Sequence, residues 1–286
     1  MMGSSYAMGL GVSRESSFAA LLPVELSRQA GRNVELYNEG MYYATPRRAV
    51  LSFNEVLAAN PDMILWEVTP WDLGHVSDLG TTDPRPLGAV GNRRSLRGKI
   101  RSQVAAAWRQ VKGQFGISQW TFLIQHFLYK SSRQYLRSYL VSGDDQSGFL
   151  KSELSANWQN RLRQFDTYAT ALAGQANAKD VPFVAVLVPN RAQAAMISMG
   201  EWPADYDPYK LDEELRNIIT GHGGIYIDIL PDFRDTRNPE QHYYPVDDHP
   251  DADGHAMIAR MLAKELTDGT IPALSAAAQP LSKQGR

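Results

Sequence analysis

Two short segments, far apart in the 286-residue chain, carry side chains that could together perform nucleophilic catalysis. Ser5 follows Gly3 and Ser4, whereas Asp247 and His249 lie two residues apart near the other end. A serine hydroxyl is a poor nucleophile alone and needs an adjacent base, which a third group orients. The Asp-x-His spacing lets one loop place the carboxylate against the imidazole. We therefore predict Ser5 as nucleophile, His249 as base and Asp247 as its partner, with Ser4 as the second candidate nucleophile.

Further residues could bind the substrate or the negative charge that develops on its carbonyl oxygen. The backbone amides of Ser5 and Gly40 could donate to that oxygen, where the largest electrostatic stabilisation usually arises. Glycine suits position 40, because a side chain there would crowd the substrate. Trp71 and Asn190 are the predicted substrate-binding side chains, and Thr69 is a further possible donor.

Short apolar runs alternate with amphipathic segments, which predicts an α/β fold with helices on both faces of a parallel sheet. Four runs are typical of buried strands: Val34–Tyr37, Met63–Val68, Phe183–Val188 and Ile225–Leu230. Functional groups gather outside the carboxyl ends of such strands, and polar or glycine-containing segments stand at each of these places. We expect the strand that should precede Ser5 to lie largely outside this sequence.

The sequence predicts one domain over residues 1–270 and a loose tail over residues 271–286, with the last predicted helix ending shortly before the tail. Four amphipathic segments with capping residues predict helices: Ser17–Gln29, Pro46–Ala59, Leu211–His222 and Gly254–Leu266. The alternation is interrupted over residues 85–148, where Lys99–Val111 and Trp120–Val141 predict a helical insertion. This insertion could form a lid over the site, or a helix pair that packs on the sheet.

Composition excludes several classes of function. The net charge of −2 gives no electrostatic reason to expect a nucleic-acid partner or an anionic membrane surface. The absence of cysteine excludes thiol nucleophiles, disulfides and zinc–thiolate sites. No apolar run approaches the length that spans a bilayer, and the first residues lack the pattern of a signal peptide. We expect no cofactor and no integral membrane segment.

The acidic run near the end of the chain also permits a metal-binding interpretation. It holds carboxylates and imidazoles in close succession: Asp247, Asp248, His249, Asp251, Asp253 and His255. A calcium loop is excluded, because its bidentate glutamate position holds Arg260. A transition-metal site stays open as the alternative to our prediction of no metal. His255 begins the last helix and is predicted to be structural.

Two other patterns have competing interpretations. Glycines at positions 3, 9 and 11 suggest a phosphate-binding loop, but the Lys-Ser/Thr ending and the dinucleotide spacing are both missing. Trp66, Trp71 and Trp202 stand near strand ends, where they could stack on sugar rings or pack in the core. The core is the commoner place for such side chains.

Three blocks of the sequence resemble those of the SGNH/GDSL hydrolases, in family order and across nearly the whole chain. Residues 3–12, Gly-Ser-Ser-Tyr-Ala-Met-Gly-Leu-Gly-Val, resemble the Gly-Asp-Ser nucleophile block. Asn38-Glu39-Gly40 is similar to the second block, whose glycine donates to the oxyanion hole. Asp247-Asp248-His249-Pro250, followed by Gly254-His255, resembles the block with the acid and the base. The resemblance implies a three-layer α/β/α, flavodoxin-like domain that hydrolyses or transfers ester-linked acyl groups on a small molecule or glycan, through an acyl-enzyme on Ser5.

Three departures from the family pattern qualify this expectation. Position 4 is serine where the family usually has aspartate. The short Asp-x-His spacing resembles the polysaccharide O-acetylation branch of the family. Resemblance to that branch implies a periplasmic or extracellular location. Trp71-Asp72 stands where the family has Asn-Asp, whose asparagine completes the oxyanion hole. Losing one such donor costs roughly a hundred- to a thousandfold in rate. The alternative function is therefore an inactive carbohydrate-binding or assembly protein with the same fold.

Overall fold

A parallel five-stranded sheet forms the centre of the computed structural model, which describes residues 1–76, 125–271 and 274. The strand order is β2-β1-β3-β4-β5, and every neighbouring pair is parallel. The strands are β1 (Met2–Gly3), β2 (Glu39–Gly40), β3 (Ile64–Val68), β4 (Phe183–Leu187) and β5 (Ile225–Ile227). The predicted α/β class with a parallel sheet is confirmed.

Alternate residues of the central strands enter two separate hydrophobic cores. Trp66 of β3 stacks on Phe165 with ring centroids 5.0 Å apart and shares the first core with Phe183. Leu65 and Val184, on the other face, belong to the second core. Both faces of β3 and β4 are therefore covered, as expected for parallel strands that read as continuous apolar runs. This arrangement is compatible with a three-layer α/β/α fold.

The four predicted amphipathic helices outside the insertion are confirmed, to within two residues at each end. Ser17 and Thr45 cap the second and third helices by accepting from the amides of Ala20 and Arg48, as their sequences indicate. None of the helices described is long and apolar enough to cross a bilayer. The helices are α1 (Ser5–Met8), α2 (Phe18–Ala30), α3 (Pro46–Ala58), α4 (Pro70–Gly74), α5 (Ser132–Leu140), α6 (Asp144–Ser147), α7 (Ala156–Asn177), α8 (Arg191–Met199), α9 (Lys210–Gly221), α10 (Leu230–Asp235) and α11 (Ala252–Leu266).

The strand predicted over Val34–Tyr37 is wrong, because pairing with β1 begins further along the chain. Val34 and Leu36 are partly buried against the second core while their neighbours are exposed, which produces the alternation of a strand without its ladder. The ladder forms where the Glu39 amide donates to Met1 and the Met41 amide donates to Gly3. The strand that precedes Ser5 is the two-residue β1.

The predicted insertion and tail fall only partly within the described residues. Lys99–Val111 lies outside them, and the predicted helix Trp120–Val141 is broken at residues 129–131 before α5 begins. Tyr135 and Leu136 of α5 are buried in the first core, so this helix packs into the body of the domain. Ile271 and Leu274, the two residues of the predicted tail that the structure describes, are buried in the second core.

Candidate active site

The nucleophile segment, as we call residues 3–8 because they hold the predicted nucleophile Ser5, lies at the switch point of the sheet, where neighbouring connections run to opposite faces. Strand β1 stands between β2 and β3, and α1 begins at Ser5, two residues after β1 ends. Helix α2, which leads from β1 to β2, packs in the second core, whereas α3, which leads to β3, packs in the first. A crevice opens outside the strand ends at such a point, and it is the usual ligand site of doubly wound folds.

Ser5, His249 and Asp247 come together in this crevice as a hydrogen-bonded chain. Ser5 Oγ lies 2.8 Å from His249 Nε2, and Asp247 Oδ1 is in close contact with His249 Nδ1. The hydrogen bond with His249 lowers the pKa of Asp247 below its ordinary value, so this carboxylate stays ionised. With a proton on Nδ1 held by Asp247, Nε2 can accept the hydroxyl proton of Ser5. The three predicted residues thus have the geometry of a nucleophile, a base and an orienting acid.

Ser4 points away from this chain of residues and into the protein. Its side chain is buried, and Oγ donates to Asp72 Oδ2 at 3.1 Å. Asp72 in turn caps α4, where its carboxylate accepts from the amide and the hydroxyl of Thr69, both at 2.8 Å. The structure therefore does not place Ser4 or Thr69 at His249, and it assigns Asp72 to a capping box.

A buried glutamate supports the turn that carries Ser5. Glu67 of β3 is almost fully buried, and its Oε2 accepts from the amide of Ser4 at 3.1 Å. A Cβ on Gly3 would collide with this carboxyl group, so glycine is required where the two chains approach. Burial and the charge of Asp72 raise the pKa of Glu67 well above its ordinary range, and burial raises that of Asp72 to about 7. Sequence reasoning missed Glu67, since a charged residue inside an apolar strand was its only signal.

Gly40 is close to the nucleophile segment, but for a different reason from the predicted one. A Cβ on Gly40 would lie 2.7 Å from backbone atoms of Ala7 and Met8, so packing against α1 requires the glycine. The Gly40 amide donates to Asn38 Oδ1 at 2.9 Å, and Asn38 Nδ2 donates to the Ala7 carbonyl at 2.8 Å. An oxyanion would have to compete with Asn38 for the Gly40 amide. The Ser5 amide has no acceptor among the described residues.

The two predicted substrate-binding residues occupy contrasting environments. Asn190 caps α8 by accepting from the amide of Gln193 at 2.9 Å, and its Nδ2 donates to the Tyr139 hydroxyl at 2.8 Å. Its substrate contact stays a prediction, because both ends of the amide bond to protein groups. Trp71 is 39% exposed beside α4, while Trp66 is buried in the core. Of the tryptophans considered for sugar stacking, Trp66 is thereby excluded.

Asp248, between the acid and the base, is held by hydrogen bonds at both its backbone and its side chain. Its φ of 66° lies in the left-handed region, which is uncommon outside glycine. The Tyr6 hydroxyl donates to its carbonyl at 2.6 Å, and the Tyr135 hydroxyl donates to its Oδ1 at 2.5 Å. Burial raises the pKa of Asp248 to about 6. This turn points Asp247 and His249 outward together while Asp248 points inward.

Arg191 connects the same loop to α5 through a buried guanidinium. It donates to the carbonyls of Pro245 at 2.6 Å and Glu240 at 3.3 Å, and also to that of Tyr129. The guanidinium carbon lies 4.1 Å from the ring centroid of Tyr135, within cation–π distance. Sequence reasoning missed Arg191 and Tyr135, because their partners are 49 to 113 residues away along the chain.

The acidic run that suggested a metal site is divided among separate tasks. Asp251 caps α11 by accepting from the amide of Gly254 at 2.9 Å. His255 is fully buried, accepts from the Phe18 amide at 3.2 Å, and has a pKa that burial lowers to about 4. His242, Asp251 and Asp253 offer ligand atoms within 4.8 Å of one another, a set that differs from the predicted one.

The arrangement places a serine hydroxyl, an imidazole and a carboxylate in one chain of contacts, and an exposed tryptophan follows the neighbouring strand β3. A serine, an imidazole and a carboxylate in this order can carry out acyl transfer, because the imidazole accepts the hydroxyl proton and returns it to the leaving group. Comparison of the chain with protein-family models, with curated proteins and with solved structures finds no match. The function is therefore inferred from the geometry of the site and the motifs.

Proposed function

We propose that this chain is a serine esterase or O-acyltransferase of the SGNH kind, with a three-layer α/β/α domain of that family. The observation that carries the proposal is the chain of contacts from Ser5 Oγ through His249 to Asp247, with 2.8 Å between Oγ and Nε2. Its place at the switch point of the sheet supports the proposal, because substrates of doubly wound folds bind there.

In the first half-reaction, Ser5 Oγ attacks the carbonyl carbon of the ester while His249 Nε2 takes the hydroxyl proton. Asp247 stabilises the imidazolium through Nδ1. The tetrahedral intermediate then collapses, the bond from carbon to the leaving oxygen breaks, and His249 returns its proton to the departing alcohol. The product at this stage is an acyl-enzyme on Ser5.

In the second half-reaction, an acceptor hydroxyl attacks the acyl-enzyme, and His249 takes the proton from that hydroxyl. Water as acceptor gives hydrolysis, and a sugar hydroxyl gives transfer. The proton passes back to Ser5 Oγ as the acyl bond breaks. Hydrolysis and transfer use the same three residues, so the acceptor that the crevice binds decides between them.

The oxyanion of each intermediate requires donors close to Ser5. The Ser5 amide is the first, because no described residue accepts from it. The Gly40 amide becomes the second only when it leaves Asn38 Oδ1, to which it donates at 2.9 Å. Loss of one donor of this kind costs roughly a hundred- to a thousandfold in rate. We therefore expect turnover slower than that of an enzyme with a complete oxyanion hole.

Labelling with a fluorophosphonate probe and hydrolysis of short-chain acetate esters test the proposal together. Ser5→Ala should abolish labelling and lower kcat by about 10⁴-fold or more, as for other nucleophile knockouts. Ser4→Ala is the matched control, since Ser4 bonds to Asp72 and not to His249, and it should still be labelled. Labelling that survives in Ser5→Ala would contradict the assignment of the nucleophile.

A second candidate function is a carbohydrate-binding or assembly protein without activity. It is favoured by the bonds that two predicted site residues already make: the Gly40 amide donates to Asn38, and Asn190 caps α8. Trp71 also stands where the family has an asparagine. Glycan binding without probe labelling or ester turnover in the wild-type protein would support this candidate over the enzyme.

A further inference from the structure

Four aromatic side chains form a continuous surface beside the Ser5 crevice, which we call the aromatic platform: Tyr42, Tyr43, Trp71 and His75. Trp71 and His75 are stacked, with ring centroids 4.0 Å apart and an angle of 22° between planes. Tyr43 lies 5.0 Å from Trp71 on a tilted plane, and Tyr42 meets Tyr43 edge-on at 4.3 Å. None of the four is fully buried. Such contacts fix the ring positions relative to one another.

The platform is formed by segments that follow two different strands on either side of β1. Tyr42 and Tyr43 follow β2. Trp71 belongs to α4, which comes after β3, and His75 directly follows α4. Because β2 and β3 flank β1 in the sheet, the contact between Tyr43 and Trp71 connects the two sides of the segment that begins at Ser5.

The platform lies at the same edge of the sheet as Ser5, because its segments follow the carboxyl ends of β2 and β3. Burial, a hydrogen bond with Tyr43 and the charges of Tyr43 and Asp247 together raise the pKa of Tyr42 to about 12. A ligand on the platform would therefore lie at the edge of the sheet where the Ser5 hydroxyl lies.

The backbone around the platform holds Trp71 toward solvent. The capping box of α4 turns the neighbouring Asp72 inward, which leaves Trp71 on the outer side. His75 Nδ1 is 2.9 Å from the Trp71 carbonyl oxygen, which keeps the imidazole against the indole. Tyr43 has a φ of 57°, an uncommon left-handed conformation for an aromatic residue that is typical of functional sites.

We propose that the aromatic platform binds a neutral sugar ring, the one that carries the ester, and this inference rests on the proposed function. A pyranose has a face of C–H groups that packs on aromatic rings and a rim of hydroxyls that needs polar partners. The platform provides both, since tyrosines and tryptophan combine ring faces with hydroxyl and indole N–H groups. None of the four platform residues is an arginine or a lysine that could pair with the carboxylate of an anionic sugar.

Direct binding in the Ser5→Ala background tests the platform independently of activity. The probes are xylotetraose and cellotetraose as neutral glycans, tetragalacturonate as an anionic one, and methyl ferulate as an aromatic acyl ester. We expect calorimetric titration to detect the neutral glycans, and Trp71→Ala to weaken their binding about tenfold or more. Trp71→Phe should retain part of the affinity. Trp202→Phe is the control, because Trp202 packs against Tyr209 and the first core.

Kinetics provide the second measurement. In the active protein, Trp71→Ala should lower kcat/KM for acetylated xylose at least tenfold more than kcat/KM for ethyl acetate, because only the sugar ester reaches the platform. Turnover with no Trp71-dependent glycan binding would overturn the platform and leave the proposed function intact. Trp71-dependent glycan binding without turnover would overturn the proposed function and leave the platform intact. Binding of methyl ferulate in place of the neutral glycans, or preference for tetragalacturonate, would overturn the choice of ligand.

Discussion

The molecule contains two clusters with the same three residue types, and only one of them touches the candidate active site. The catalytic-loop cluster is Tyr135, Asp248 and Arg191, and the β5 cluster is Tyr226, Asp212 and Arg216. In each, a tyrosine hydroxyl donates to an aspartate oxygen at 2.5 Å. In each, a guanidinium lies over the tyrosine ring, at 4.1 Å and 5.3 Å from the centroid. Burial raises the pKa of both aspartates to about 6.

The two clusters differ in what the arginine binds. Arg216 donates to Asp212 at 3.1 Å and to Asp228 at 2.5 Å, so it neutralises carboxylates. Arg191 gives its hydrogen bonds to backbone carbonyls, among them that of Pro245, two residues before Asp247. The same chemistry therefore pairs charges near β5 and fixes the path of the main chain beside the triad. A cluster of this kind contributes to a functional site when its hydrogen bonds hold the backbone of that site.

Replacing each arginine by methionine should give the largest difference in unfolding free energy between the two clusters. Arg191→Met leaves buried carbonyls without donors, so we expect a loss of about 3–5 kcal/mol of unfolding free energy. Arg216 is 41% exposed at its side chain, and Arg216→Met should cost about 1 kcal/mol. Denaturation in guanidinium measures both losses. Equal losses would contradict the distinction between the two arginines.

Replacing each tyrosine by phenylalanine should separate activity from stability. Both variants lose one buried hydrogen bond, and each should cost about 1–2 kcal/mol of stability. Tyr135→Phe should also lower kcat about tenfold with little change in KM, because the turn between Asp247 and His249 loses a contact. Tyr226→Phe should keep kcat within about twofold. A matching fall in kcat for both variants would show that the effect comes from stability alone.

Replacing each aspartate by asparagine should change the pH dependence of stability. A raised pKa means that the folded state holds the proton more tightly than the unfolded chain does. The stability from each protonated carboxyl is thus complete below about pH 4 and is lost as pH rises through about 6. Asp248→Asn and Asp212→Asn should each reduce the loss of unfolding free energy across this pH range by about 1–3 kcal/mol.

Rates provide the control for this pH experiment. Asp248 lies between Asp247 and His249 and accepts from the Tyr135 hydroxyl, so Asp248→Asn should shift the pH–rate profile. Asp212→Asn should leave the profile in place. A shift of the same size in both variants would mean that the β5 cluster also acts on the triad.

Four helices and the strands β3, β4 and β5 could be predicted because their signals are local. Ser17, Thr45 and the apolar runs specify helix starts and strands through contacts within a few residues. Ser5 and His249 could be assigned because polar segments after strands must meet at one edge of a parallel sheet. Contacts between remote segments, such as that of Tyr135 with Asp248, have no local signature.

The parts that were wrong or missed depend on backbone conformation and on competition for hydrogen bonds. Val34–Tyr37 has the burial pattern of a strand, but its ladder partner is in register only from Glu39. Glycine at position 40 was explained by room for the substrate, and the need for room beside α1 was missed. Its amide could not be known to bond with Asn38, because that bond depends on the exact turn between them.

The contact between Gly3 and Glu67 has an evolutionary consequence. The carboxyl group of Glu67 fills the space that a side chain at position 3 would need, and it satisfies the amide of Ser4. Neither residue can change freely while the other stays, so we expect the two positions to vary together among descendants of this chain. A lineage that gains a side chain at position 3 should shorten the residue at position 67 and find another acceptor for the Ser4 amide.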